Sequence, residues 1–166
     1  MKTNKASITI VCIMLLISML AACGGKSAEV RNDVAVSDVS AAVAASLSED
    51  DALVSVPETY FSGSMKMDVS DYDGYDVKIN SKGVNIDEYG VFKAKDSTQV
   101  AALEQAVKDY LQFRKDIWME EYMPEEYPKL ENAEVKTAGN YVMYAILSDS
   151  SKKAAFDAFQ KSLTAE

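Results

Sequence analysis

The sequence predicts an α+β fold: a small antiparallel sheet packed by one long helix and a C-terminal helix, in the order β-α-β-β-α behind an N-terminal helix. Three observations carry this reading. An apolar stripe at helical spacing runs without Gly or Pro from Val100 to Tyr122. Two strand-like runs flank Ala138-Gly139-Asn140, a hairpin turn signal because Gly and Asn tolerate positive φ. A second amphipathic stripe, Ala155, Phe156, Phe159 and Leu163, closes the chain. At 166 residues, 48% apolar and 26% charged, the chain has the composition of one globular domain plus extra segments.

The first segment reads as an address. Lys2 and Lys5 precede an uncharged apolar stretch from Ala6 to Ala22, which ends Leu20-Ala21-Ala22-Cys23 before Gly24-Gly25. A positive start, an apolar core and small residues before a cut are the pattern of a secretory signal. The ending resembles the lipobox of bacterial lipoproteins, which implies cleavage after Ala22 and a diacylglyceryl group on the Cys23 thiol. The expected organisation is therefore a signal peptide over 1–22, a lipidated Cys23 with a tether over 23–37, and one extracellular domain over 38–166. Acyl chains contribute about 0.8 kcal/mol per buried methylene, so two or more of them hold a protein stably to a membrane. Loss of Lys2 and Lys5 takes the net charge from −9 to −11, and loss of Cys12 leaves the acylated Cys23 as the last cysteine. No disulfide and no thiol catalysis are then expected.

Within the domain, Ser37 or Asp38 caps a short helix with Val39, Val43 and Leu47 on one face. Met65, Met67 and Val69 alternate with polar residues, as do Tyr75, Val77 and Ile79, and both runs read as half-buried strands. Ser81-Lys82-Gly83 is a turn, and Glu88 to Ala94 is a stronger strand. Asp96 and Gln99 resemble a capping box ahead of the stripe Val100, Leu103, Val107, Tyr110, Arg114, Ile117 and Glu121. Pro124 stops that helix near Tyr122, giving about twenty-five residues and a rod of about 38 Å. Ala133 to Thr137 and Tyr141 to Leu147 form the hairpin, and the second of these is apolar on both faces, as in a strand covered twice. Ser148 or Asp149 caps the last helix.

Composition excludes several functions. Seventeen Lys and Arg against 26 Asp and Glu argue against nucleic acid, whose phosphates need clustered cations. The absence of His removes the commonest base near neutral pH and the commonest metal ligand. Asp68, Asp71, Asp73-Gly74 and Asp76 suggest a calcium loop, but aligning Gly74 with its invariant glycine puts Val69 and Asn80 where carboxylates are required. Ser150-Ser151-Lys152-Lys153 matches the Ser-x-x-Lys spacing of Ser-Lys enzymes without their other motifs in order. Asp87-Glu88 is the pair to inspect for carboxylate-dependent hydrolysis of glycans or peptides. Trp118 and Tyr122 are the candidates for an aromatic contact surface. No catalytic residue, cofactor or metal ligand is assigned.

From about Asn85 onward the sequence also resembles an uncharacterised small lipoprotein family of anaerobic Gram-positive bacteria, defined only by a domain of unknown function. The resemblance is carried by Asp87-Glu88 leading into Val91-Phe92-Lys93-Ala94-Lys95-Asp96, by Tyr122-Met123-Pro124-Glu125-Glu126-Tyr127, and by Gly139-Asn140-Tyr141-Val142. It implies the lipobox, the extracellular face of the cell membrane and a small α+β domain, and it carries over no catalytic residue. The expected function is a membrane-anchored, non-catalytic domain that binds a protein or small-molecule ligand. A hydrolase and a structural spacer are the alternatives.

Overall fold

The computed structural model describes residues 29–48, 53–83, 85–119 and 121–165. The signal peptide, Cys23 and the first part of the expected tether lie outside them. Five strands, β1 (Leu53–Ser55), β2 (Tyr72–Asn80), β3 (Glu88–Ala94), β4 (Glu134–Ala138) and β5 (Tyr141–Ile146), pair antiparallel in the order β1-β2-β3-β5-β4. The helices are α1 (Val36–Ala45), α2 (Glu58–Tyr60), α3 (Val100–Asp116), α4 (Tyr127–Glu131) and α5 (Asp149–Ser162).

Strand alternation sorts the core into two layers. On one face Val77, Phe92, Ala94, Val142, Tyr144 and Ile146 meet Leu103, Val107, Tyr110 and Leu111 of α3. On the other, Tyr89, Val91, Tyr141, Met143 and Ala145 meet Val39 and Val43 of α1 and Phe156 and Phe159 of α5. The long helix and the C-terminal helix thus pack on opposite faces, and the doubly apolar run Tyr141–Ile146 is an interior strand with every residue buried. Gly90 sits opposite Tyr144 in the β3–β5 register, and a Cβ there would fall 2.3 Å from Tyr144 Cε1. Glycine at this position lets the tyrosine ring lie across β3.

Three local expectations are corrected. The long helix covers 17 residues, about 26 Å, because the chain leaves it at Ile117 and folds Trp118 back onto Tyr127, with ring centroids 6.0 Å apart. Met123 then takes a positive φ of 56°, outside the αR region that its neighbour Pro124 disfavours. The Met65–Val69 strand is instead a π turn over Phe61–Met65 followed by a 3-10 turn over Val69–Asp71. Met65 and Met67 are buried and Lys66 exposed, as alternation requires, but a left-handed Lys66 (φ 58°) produces that pattern without a strand. Helix α1 begins at Val36 behind Ala35, with no side-chain cap from Ser37 or Asp38.

Residues 29–37, expected in the tether, pack on the domain. Val30 bridges Thr164, Arg31 N–H donates to Leu163 O at 2.8 Å, and Asn140 N–H donates to Asn32 Oδ1 at 2.7 Å. Tyr141 Oη donates to Val34 O, and Val36 is buried. Apolar side chains at Val34 and Val36 give this stretch something to bury, which a tether lacks.

Candidate functional site

Glu88 opens β3 and is 2% exposed. Alternation along the strand places it on the α3 side, where helical spacing lines up Tyr110 and Arg114 one turn apart. Tyr110 Oη donates to Glu88 Oε1 at 2.6 Å, Tyr144 Oη donates to the same oxygen at 2.5 Å, and Arg114 Nη1 donates to Oε2 at 2.5 Å. Arg114 Nη1 also donates to Tyr110 Oη at 2.7 Å. Tyr110 spends its one proton on Glu88, so the 2.9 Å contact between Tyr60 and Tyr110 has Tyr60 as donor. The result is a chain of donors converging on one carboxylate.

The electrostatics follow from this geometry. Burial pushes the Tyr110 and Tyr144 phenols well above their ordinary pKa, and the adjacent Glu88 charge pushes them further. Burial works against the charge on Arg114, but Glu88 outweighs it and holds the guanidinium ionised above its usual range. The pair satisfies the general condition that a buried charge be paired and hydrogen-bonded.

Above the pair lies a groove of ≈ 500 Å³, within the range of about 300–1,000 Å³ common for small-ligand sites. Its apolar walls are Tyr60, Ile79, Ile86, Phe113 and Ile117, and Ser64, Asn80, Asn85 and Arg114 supply polar groups. Phe113 and Ile117 are 40% and 56% exposed. Asn80 Oδ1 accepts from Lys82 N–H, but its buried Nδ2 has no hydrogen-bond partner. A second hollow of ≈ 460 Å³ beside Glu58, Lys66 and Asp68 contains no buried charge.

The adjacent acids Asp87 and Glu88 are separated in role. Lys129 Nζ donates to Asp87 Oδ1 at 2.8 Å and to Glu126 Oε2 at 2.9 Å, which ties the loop before β3 to α4. Trp118 packs against the α3-side core and Tyr122 is 60% exposed; neither lines the groove. The concave site therefore gathers Glu88 and leaves Asp87, Trp118 and Tyr122 outside. Arg114 is the residue that sequence reasoning passed over. Its one local signal is a cation four residues after Tyr110 on a largely apolar stripe, which calls for a paired anion without naming it.

The remaining motifs have structural partners. Among the described residues no group of three potential ligands is placed to hold a metal ion. Asp68 accepts from Ser70 N–H, Asp73 pairs with Lys93 at 2.6 Å, and Asp76 accepts from Ser40 and Ser55. Lys152 donates to Asn132 O at 2.6 Å, and Ser148 caps α5 by accepting from Ser151 N–H. No helix among the described residues is long and apolar enough to cross a membrane.

A family model described as "Domain of unknown function (DUF4358)" matches residues 45–147, more than half the chain. The chain belongs to this family. No curated protein and no solved structure matches it. The DUF4358 match begins well upstream of Asn85 and takes in all five strands, α3 and every residue lining the groove. It stops short of α5 and contains only the last residue of α1, so the two helices that cover the second face of the sheet lie outside it.

Proposed function

We propose that this DUF4358 chain is a binding protein held at the extracellular face of the cell membrane by lipid on Cys23, and that its ligand occupies the groove over Glu88 and Arg114 without chemistry by the chain itself. The observation that carries this reading is a groove with apolar walls above an ion pair whose buried carboxylate accepts hydrogen bonds from three side chains. Such a pair fixes side-chain positions before a ligand arrives, which lowers the entropic cost of binding. The groove favours a ligand-binding role over that of a spacer. Both Glu88 oxygens already accept hydrogen bonds from protein donors and Asp87 is paired with Lys129, so binding is favoured over carboxylate-dependent hydrolysis. The charged leader and Leu20-Ala21-Ala22-Cys23 support the anchor.

Gly63 lines the groove, and a Cβ built on it meets nothing within 4 Å, so a bulky side chain introduced by Gly63→Phe has open space to enter. Native mass spectrometry of the full chain extracted from its own membranes is expected to show a bound mass on the wild type that is missing from G63F. Retention of the same mass by a folded G63F protein contradicts the proposal.

A further inference from the structure

We infer that the groove recognises a carboxylate attached to an apolar group, an inference that rests on the groove being the binding site. A guanidinium has five N–H donors. The two on Arg114 Nη1 go to Glu88 Oε2 and Tyr110 Oη. Among the described residues none accepts from Nε or Nη2, and neither atom is buried without a partner, so both meet solvent. Nε and Nη2 form the side-on fork of arginine, the edge whose two parallel N–H groups match a carboxylate. Glu88 takes only the far nitrogen and leaves that edge open.

The other polar groups point to the same chemistry. Asn80 Nδ2 is a buried donor lacking an acceptor, Asn85 Oδ1 is occupied by Asp87 N–H, and the lining's single carboxylate, Glu88, is already satisfied by three side chains. The groove therefore offers donors and seeks acceptors. Phe113, Ile117, Ile79 and Ile86 supply the surface for an apolar group beside the carboxylate. A net charge of −9, or −11 once the leader with Lys2 and Lys5 is lost, repels anions at long range, so selectivity comes from the fork at contact rather than from steering. A free aliphatic acid and the C-terminal residue of a peptide share this chemistry.

Calorimetric titration of the full chain with N-acetyl-L-phenylalanine, its C-terminal amide and octanoate tests the inference. The acid is expected to bind at least tenfold more tightly than the amide. Octanoate stronger than N-acetyl-L-phenylalanine assigns the ligand to aliphatic acids, and the reverse order to peptide ends. Arg114→Lys keeps the charge beside Glu88 but loses the fork, and should reduce the acid-over-amide preference to less than threefold, with a thermal melt confirming folding. Asn80→Asp keeps the Oδ1 acceptor for Lys82 and turns the orphan donor into an anion, so it should weaken the acid more than the amide. Equal affinity of the wild type for acid and amide, a preference unchanged in R114K, or no binding of either acid overturns the carboxylate inference. Equal binding of acid and amide that vanishes in G63F overturns it while leaving the groove as the binding site.

Discussion

The carboxylate of Glu88 and the guanidinium of Arg114 meet at 2.5 Å, with side chains 2% and 19% exposed, although they stand 26 residues apart on β3 and α3. The contact joins the sheet to its long helix and forms the floor of the groove. Removing one partner from such a pair costs far more than replacing both. Glu88→Gln should lower stability by about 3–5 kcal/mol, while the double variant Glu88→Met, Arg114→Met should lie closer to the wild type. Urea denaturation of the two variants checks this, and an E88Q protein as stable as the wild type refutes the buried pairing.

Gly90 makes the Tyr144–Glu88 bond possible by leaving room for the ring. A Cβ at this position lies 2.3 Å from Tyr144 Cε1 and 2.8 Å from Val77 Cγ2. Overpacking of this kind typically costs about 1–3 kcal/mol. Gly90→Ala should fall in that range in a chemical melt, and should lower the Tyr144 pKa as the ring is displaced from its buried position.

Much of the fold was legible because periodicity survives averaging over many residues. Glu88–Ala94 matches the expected strand at both ends, and the Gly139 turn and the Ser148 cap fall where local chemistry puts them. The failures are places where tertiary contacts override a local pattern. Met65 and Met67 alternate in burial through a left-handed turn, and Trp118 ends α3 early to reach Tyr127. The site was legible at one residue. Glu88 stands out in the sequence beside Asp87, yet its partner is Arg114 on the α3 stripe, and a lone cation there signals the need for an anion but not which residue supplies it.

The packing of α1 and α5 on the second sheet face leads to a prediction about the family-matched segment alone. A fragment of residues 45–147 lacks the helices that cover Tyr89, Val91, Tyr141 and Met143. It should show no cooperative thermal transition, whereas a chain from residue 29 to 166 should melt in one step. A cooperative melt of the short fragment refutes the role assigned to the second layer.

Alkaline pH should weaken the fold through its buried phenols. Burial pushes Tyr89 up to about 12, although its hydrogen bond with Ser40 acts in the opposite direction. The folded chain therefore holds this proton at pH values where the unfolded chain releases it. Its stabilising contribution is complete below about pH 10 and is lost as pH rises towards 12. Tyr89→Phe should make the fall in stability between these values shallower, as measured by urea midpoints across the series.

The most direct test of the account is the Arg114 Nε–H resonance in an ¹⁵N-labelled full chain titrated with N-acetyl-L-phenylalanine. Binding at the open edge of the guanidinium predicts a saturable shift of that resonance, reproduced weakly or not at all by the amide and abolished in Gly63→Phe. A resonance that stays in place while the ligand binds elsewhere on the protein contradicts the account.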